Sequence, residues 1–356
     1  MLKNRRSTLK RFFEEHSLDA VLFSDLRNIR YLCGFSGTEG ALLISMNNAW
    51  FLCDSRYTAQ AAEEVKNAEI RECGATRLDT VVALAHEHAL HRVGFEAAHT
   101  TVSAFRRMSE KLSGIDLVEL GSNLDEIRIC KDAAEIGQLA AVAGLSSRAL
   151  EAVLGKIKPG VREAEIAVAL EFEMRRLGAD GKAFDFIVAS GERGAMPHGR
   201  ASNKAIRSGE MVTIDFGALK DGYHSDETVT VACGDPGARA REIHAIVSTA
   251  HDLAIEAVRP GISCRDLDEV ARSYIRDKGY GDYFGHGLGH GIGLEIHEMP
   301  TLSPRSTAVL KEGMVVTVEP GIYIPDFGGV RIEDTVAVTS DGCHVLTSAD
   351  KKLLIL

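Results

Sequence analysis

Short apolar runs alternate with amphipathic stretches through the first third of the chain. "DAVLFS" (19–24), "GALLIS" (40–45) and "AWFLCD" (49–54) have the length and apolar density of strands, with "MNN" as the turn between the last two. Residues 4–16 and "RYTAQAAEEV" (56–65) carry helical spacing, and "HRVGFE" (91–96) reads as a further strand. Helices separating short strands predict an α/β layer. "GFSGTEG" (34–40) reads as turns, because no G-x-G-x-x-G or Walker pattern accompanies its glycines. His86, His88 and His91 read as a solvated helix face rather than a metal site.

Near Asp125–Ile136 the pattern changes, and a long helix is predicted through "AAEIGQLAAVAGLSSRALEAVLGKI". At 356 residues the chain exceeds one ordinary core. We therefore expect two domains, 1–128 and 129–356. The second contains an internal repeat. "KIKPGVREAEIAVALEFEMRRLG" and "EAVRPGISCRDLDEVARSYIRDKG" both set Pro-Gly between two amphipathic helices and close the second helix with glycine. Pro159 to Gly178 spans the same number of residues as Pro260 to Gly279. "MVTIDFG" (211–217) and "VVTVEPG" (315–321) follow, aligning Asp215 with Glu319. The repeat predicts two α/β halves related by a pseudo-twofold, each giving acidic groups to a shared centre.

Those acidic groups carry the chemistry. Asp215 in "VTIDFGA" and Asp226 in "YHSDETVTV" flank an Asp-Gly turn signal, "LKDGY", which predicts a hairpin with the two carboxylates as neighbours across the ladder. Glu319 in "TVEPGIY" and Glu333 in "VRIEDTVAV" also lie in apolar runs. Strand neighbours point to opposite faces, so Glu333 and Asp334 cannot both serve one site. Unpaired carboxylates in such surroundings cost several kcal/mol or lose their charge, and a pair of divalent cations would neutralise four of them. "FGHGLGHGIGLEIHEMP" (284–300) holds His286, His290 and His297. Its glycines exclude a stable helix, and Pro300 excludes the zincin H-E-x-x-H helix. The segment predicts a strand or turn with close approach to a ligand, one histidine being a metal ligand and His297 reaching substrate. His198 in "GAMPHGRAS" stands on a predicted loop, where function concentrates. Arg331 shares the phase of Glu333 and suits a carboxylate-holding role.

Composition narrows the partners. Lys and Arg number 41 against 51 Asp and Glu, a net charge of −10, which argues against nucleic acid or an anionic membrane. No run approaches the roughly 18 apolar residues of a membrane span. Seven scattered cysteines without a CxxC pair, and a basic start without a signal-length apolar run, predict a reducing, cytoplasmic setting.

Together "GHGLGHGIGLEIHE", "IDFGA…SDET", "VEPGIY" and "RIEDT" resemble the pita-bread metallopeptidases: prolidase, Xaa-Pro aminopeptidase, methionine aminopeptidase and the metal-free creatinase. "NIRYLCGFSGTEGALLI" and "DSRYT" resemble the creatinase-type N-terminal domain. The resemblance implies an α/β (α+β) chain, with a creatinase-like domain before a pita-bread domain. It implies a dinuclear metallo-exopeptidase acting on the Xaa-Pro bond, in dipeptides or at the N-terminus of small peptides with proline second. A methionine-aminopeptidase-like activity and a non-catalytic peptide binder are the alternatives. The implied cofactor is two divalent ions, Mn2+ first, with Co2+, Fe2+ or Zn2+ as substitutes. Asp226, His290 and Glu333 would bind one ion, with Asp215, Glu319 and Glu333 around the other, and Asp226 and Glu333 bridging. Glu319 would shuttle protons, while His198, His297 and Arg331 match substrate-side catalytic positions and His286 a position near the scissile proline. A homodimer is likewise implied. Two departures stand out. Val229 occupies a position where the family often has Arg. Thr301, with Arg305 further on, stands where some prolidases have a cation for the dipeptide carboxylate, and its absence would favour longer peptides.

Overall fold

The computed structural model describes Arg5 and residues 9–356, without the side chains of 122, 123 and 125. Contacts divide the chain into Met1–Arg128 and Ile129–Leu356.

The first unit is built on a six-stranded sheet of order β4-β3-β2-β1-β5-β6. Its strands are β1 (Ala20–Phe23), β2 (Ala41–Ser45), β3 (Ala49–Cys53), β4 (Glu69–Glu72), β5 (Arg92–Glu96) and β6 (Asp116–Leu120). Among the described residues, α1 (Lys10–His16) precedes β1, and α2 (Leu26–Cys33), α3 (Thr58–Glu64), α4 (Arg77–Glu87) and α5 (Val102–Lys111) lie between strands. Strands β1 to β3 are almost wholly buried, which is why they read as continuous apolar runs. The β2–β3 turn closes with the Ser45 amide donating to Asn48 O at 2.8 Å. Of the expected helix 4–16, Lys10–His16 is α-helical, while residues 4 and 6–8 lie outside the described residues. The histidine cluster is not one solvated helix face. Only His86 lies on α4, while His88 follows the helix end with its ring centroid 4.5 Å from that of Trp50.

The second unit repeats a helix pair and sheet. Helix α6 (Ala133–Leu154) opens with an Asp132/Glu135 capping box, and α7 (Glu163–Arg176) follows the Pro159–Gly160 turn. Helices α8 (Gly237–Ala257) and α9 (Cys264–Asp277) flank the Pro260–Gly261 turn in the same way. Gly160 and Gly261 have φ of 92° and 87°, and Gly178 and Gly279, which follow α7 and α9, 98° and 86°, left-handed values that favour glycine. The turns are tied identically. Gly160 N donates to Ile206 O and Ile206 N to Val161 O (2.9 and 2.8 Å), while Gly261 N donates to Leu310 O and Leu310 N to Ile262 O (2.9 Å each).

The strands are β7 (Gly181–Lys182), β8 (Ile187–Ser190), β9 (Glu210–Phe216), β10 (Ala218–Lys220), β11 (Tyr223–His224), β12 (Glu227–Cys233), β13 (Gly289–Gly291), β14 (Glu298–Leu302), β15 (Val315–Val318), β16 (Gly321–Ile324), β17 (Gly328–Arg331), β18 (Asp334–Val338) and β19 (Cys343–Val345). One half forms the sheet β12-β9-β8 and the other β14-β13-β15-β18-β19. The two meet where Glu333 N donates to Thr228 O at 3.1 Å and Thr335 Oγ1 to Asp226 O at 2.8 Å. Behind the second sheet, Ile243, Val247, Leu267 and Ile275 of α8 and α9 are buried in one core with Val316, Val318 and Val336. Each such side chain contributes about 1.5–3 kcal/mol. The centre is therefore mounted on sheets, with helices outside.

Candidate metal centre and cavity

The hairpin carrying the two aspartates is longer than a simple one. Strands β10 and β11 turn back at Asp221–Gly222 and pair with each other, and β10 pairs with β7, rather than extending the β9–β12 ladder. In that ladder Asp215 stands opposite Thr228, so Asp215 and Asp226 are offset diagonally by two residues rather than directly paired. A two-residue offset keeps both on one face. Val229 is 3% exposed and pairs in register with Ile214 on the other face of β12.

The glycine-rich segment forms the short strand β13 between β14 and β15, with a bulge after His290. Its glycines serve backbone proximity: a Cβ on Gly289 would lie 2.0 Å from Thr317 O, and one on Gly291 2.2 Å from Met299 O. His290 Nδ1 donates to Gly291 O at 3.0 Å, leaving Nε2 as the lone-pair nitrogen. His286 repeats the arrangement with Gly287 O at 2.8 Å.

Asp226, His290 and Glu333 each offer one ligand atom within 4.8 Å of the others. His290 Nε2 is 3.6 Å from Asp226 Oδ2 and 3.5 Å from Glu319 Oε1. Asp215 lines the same cavity, and Arg331 Nη2 donates to its Oδ2 at 2.6 Å. Thus the five side chains singled out in the sequence come together, two from one half and three from the other. Asp215 Oδ1 and Asp226 Oδ1 are buried without a hydrogen-bond donor. Burial and mutual repulsion push the carboxyls of Asp226 and Glu333 well above the ordinary carboxylate range. Glu319 is pushed up to about 8, chiefly by burial. Burial lowers His290 to about 4, so its ring is neutral and able to ligate. Undonated buried oxygens, repelling carboxylates and one neutral imidazole are what divalent cations satisfy, so the donor set fits them.

Several supporting groups left no signal in the sequence. Thr228 Oγ1 donates to Glu333 Oε2 at 2.6 Å, and Thr317 Oγ1 lies 3.3 Å from Glu319 Oε1. Tyr323 OH accepts from Arg331 Nη1 at 2.9 Å and lies 2.8 Å from His286 Nε2, linking the two. Arg331 is 3% exposed, with Nη1 also donating to Pro197 O at 3.2 Å. Its guanidinium binds Asp215, Tyr323, Thr228 and the Pro197 carbonyl, and Arg331 stands among the residues that line the cavity. Asp268 and Arg272 of α9 clamp the glycine-rich segment: Asp268 accepts from Leu288 N at 2.9 Å, and Arg272 donates to Phe284 O and His286 O at 2.9 and 2.6 Å. Glu163, fully buried at the start of α7, accepts from Ser190 N, Ser190 Oγ, Arg193 Nε, Ser202 N and Ser202 Oγ. It pins the 190–202 segment that carries His198.

The centre opens into a cavity of about 750 Å³. His198, His286 and His297 line it with Phe184, Ile296 and Arg305. His198 and His297 are exposed, and the His297 ring centroid is 4.4 Å from that of His290 in an edge arrangement. Among the described residues no helix is long and apolar enough to cross a membrane.

Residues 137–340 match metallopeptidase family M24, and residues 5–130 match the creatinase/prolidase N-terminal domain. The Xaa-Pro dipeptidase of Pyrococcus furiosus is 38% identical over 99% of this chain and all of its own. A solved structure described as an Xaa-Pro dipeptidase from Bacillus anthracis is 42% identical, covers both chains fully and superposes with a TM-score of 0.98. The crystal structure of X-Pro aminopeptidase from Thermotoga maritima is 38% identical, covers 96% of this chain and 98% of its own, and has a TM-score of 0.91. The chain belongs to metallopeptidase family M24, with a creatinase/prolidase domain preceding the pita-bread peptidase domain.

Proposed function

We propose that the protein is an Xaa-Pro dipeptidase that uses two divalent ions, Mn2+ by preference. The observation that carries this reading is the set of buried, undonated carboxylate oxygens beside a neutral imidazole, open to a histidine-lined cavity. Asp226, His290 and Glu333 would hold one ion and Asp215, Glu319 and Glu333 the other. When bound, the ions supply the Lewis acidity that makes water a nucleophile at neutral pH. Glu319 takes the proton released in the attack and returns it to the proline nitrogen as the peptide bond breaks. His198 and His297 donate to the substrate carbonyl oxygen as negative charge develops there, each good donor contributing about 3 kcal/mol. His286, with Nε2 bonded to Tyr323, borders the proline side, and Phe184 and Ile296 give the ring an apolar wall. Proline is accepted because its tertiary amide brings no N–H that the wall would leave unpaired.

Dipeptides are favoured over longer peptides by the two Xaa-Pro dipeptidase relatives and by Arg305, an exposed guanidinium lining the cavity that can receive the C-terminal carboxylate. The similarity to an X-Pro aminopeptidase supports a second reading, N-terminal cleavage of longer peptides. Seven free thiols suit a reducing compartment, and we place the enzyme in the cytoplasm, as a homodimer, on that ground and on family resemblance. The test is release of proline from Ala-Pro against release of alanine from Ala-Pro-Ala, with Mn2+ restored to chelator-stripped protein. Ala-Pro is expected to be the better substrate, with Arg305→Ala raising KM for it. Cleavage of Ala-Pro-Ala alone would replace the dipeptidase reading with the aminopeptidase one, and turnover of neither would overturn both.

A further inference from the structure

Asp226 and Glu333, one from each half of the fold, are both followed by a second buried carboxylate. Glu227 is 0% and Asp334 7% exposed. Strand neighbours point to opposite faces, so with the first pair turned into the cavity the second pair turns away from it. Behind the centre the second pair converges on one cation. Lys351 Nζ donates to Glu227 Oε1 at 2.5 Å and lies 3.1 Å from Asp334 Oδ1. The remaining lone pairs are taken up by the same region. Glu227 also accepts from Ser147 Oγ (2.6 Å) and Ala349 N (2.9 Å), and Asp334 from Thr347 Oγ1 (2.5 Å), with His251 Nε2 at 3.2 Å from its other oxygen.

The segment that delivers Lys351 runs from one half to the other. Leu346 N donates to Thr335 O beside β18, and further on Ala232 N of β12 donates to Leu354 O and Leu356 N to Ala232 O. Residues 346–356 therefore strap the two sheets together, and the lysine sits between their anchorages.

We infer that Lys351 is a positioning residue for the metal centre: by tying Glu227 to Asp334 it fixes the separation of Asp226 and Glu333, two ligands contributed by opposite halves. The inference rests on the metal-centre reading above. It makes a prediction opposite in sign to simple charge. Deleting a cation near the centre raises its negative potential and would tighten cation binding, whereas releasing the ligand spacing weakens it.

The experiment uses the full chain stripped of metal, with Mn2+ affinity measured by calorimetry, Co2+ coordination by visible absorption and fold by circular dichroism. Lys351→Met is expected to weaken the Mn2+ Kd by about tenfold or more, the scale seen when a group holding a ligand is lost, and to change the Co2+ spectrum. Because Lys351→Met leaves two buried anions facing each other, Glu227→Gln/Lys351→Met is measured alongside. That pair removes one charge of each sign and isolates spacing from potential; it too is expected to bind Mn2+ more weakly. A folded double variant with the wild-type Kd and Co2+ spectrum would overturn the inference, as would tighter binding by Lys351→Met. Wild-type protein that takes up no Mn2+ would overturn the metal-centre reading and this inference with it, while two bound ions in wild type and an unaffected variant would overturn the strap alone.

Discussion

Glu163 offers the sharpest test of how the cavity wall is held. Its Oε1 accepts from Ser190 N and Oγ at 2.8 and 2.9 Å, and its Oε2 from Arg193 Nε, Ser202 N and Ser202 Oγ at 3.0, 3.1 and 2.6 Å. Glutamine at this position has the same shape but only one acceptor oxygen. Whichever way the amide turns, its NH2 faces one backbone donor, Ser190 N or Ser202 N, that cannot turn away. One unpaired buried N–H costs about 1–3 kcal/mol, and the ionic part of the Arg193 bond is lost as well, so Glu163→Gln is expected to lose about 2–4 kcal/mol. Urea unfolding, with the slope held against wild type, gives that number. Because the 190–202 segment carries His198, kcat is expected to fall about tenfold or more while Mn2+ uptake stays intact. Unfolding free energy within about 0.5 kcal/mol of wild type would refute the reasoning, since no other buried carboxylate binds these five donors.

Asp268→Asn breaks the clamp on residues 284–288 and is expected to cost about 3–5 kcal/mol and to weaken Mn2+ binding through His290, measured by urea unfolding and calorimetry. Gly329→Ala places a Cβ 2.1 Å from Gly194 O, backbone that cannot step aside; a loss of about 1–3 kcal/mol in thermal unfolding is expected. In EDTA the Glu319 carboxyl, lifted by burial from 4.5 to about 8, makes stability pH-dependent. The folded value exceeds the ordinary one, so that contribution is whole below about 4.5 and is lost as pH rises through about 8. Unfolding midpoints of the stripped protein should fall across that window and recover with Mn2+; a flat profile would contradict the burial.

The candidate ligand carboxylates were legible because each stands in an apolar run, and His290 because a glycine-rich segment frames it, local anomalies that burial alone does not produce. The Pro-Gly repeat was legible because turn chemistry is local too. Strand β4, "EIRE", and β6, "DLVEL", were not: both are sheet edges with exposed charged residues and carry no apolar run. The hairpin neighbours Asp215 and Asp226 were legible to within a residue or two of register, and the excursion through β10 and β11 accounts for the two-residue offset. Thr228 and Glu163 act through partners 27 to 105 positions away, and Tyr323 and Lys351 through partners 8 to 124 positions away, so nothing immediately beside them in the chain announces them. The clamp of Asp268 on Arg272 has the spacing of an ordinary surface pair, and only its burial distinguishes it.

His286 and His290 both hand their Nδ1 proton to the main-chain carbonyl of the glycine that follows. Where a carboxylate fixes an imidazole, one mutation can free the ring to swap tautomers. Here the anchor belongs to the peptide itself and persists under any replacement of neighbouring side chains. Variation around the cavity can therefore retune which peptide fits without disturbing Nε2 of either ring, which in His290 faces the candidate ligand carboxylates and in His286 meets Tyr323 OH, while bulk added at those glycines strikes at ring orientation directly.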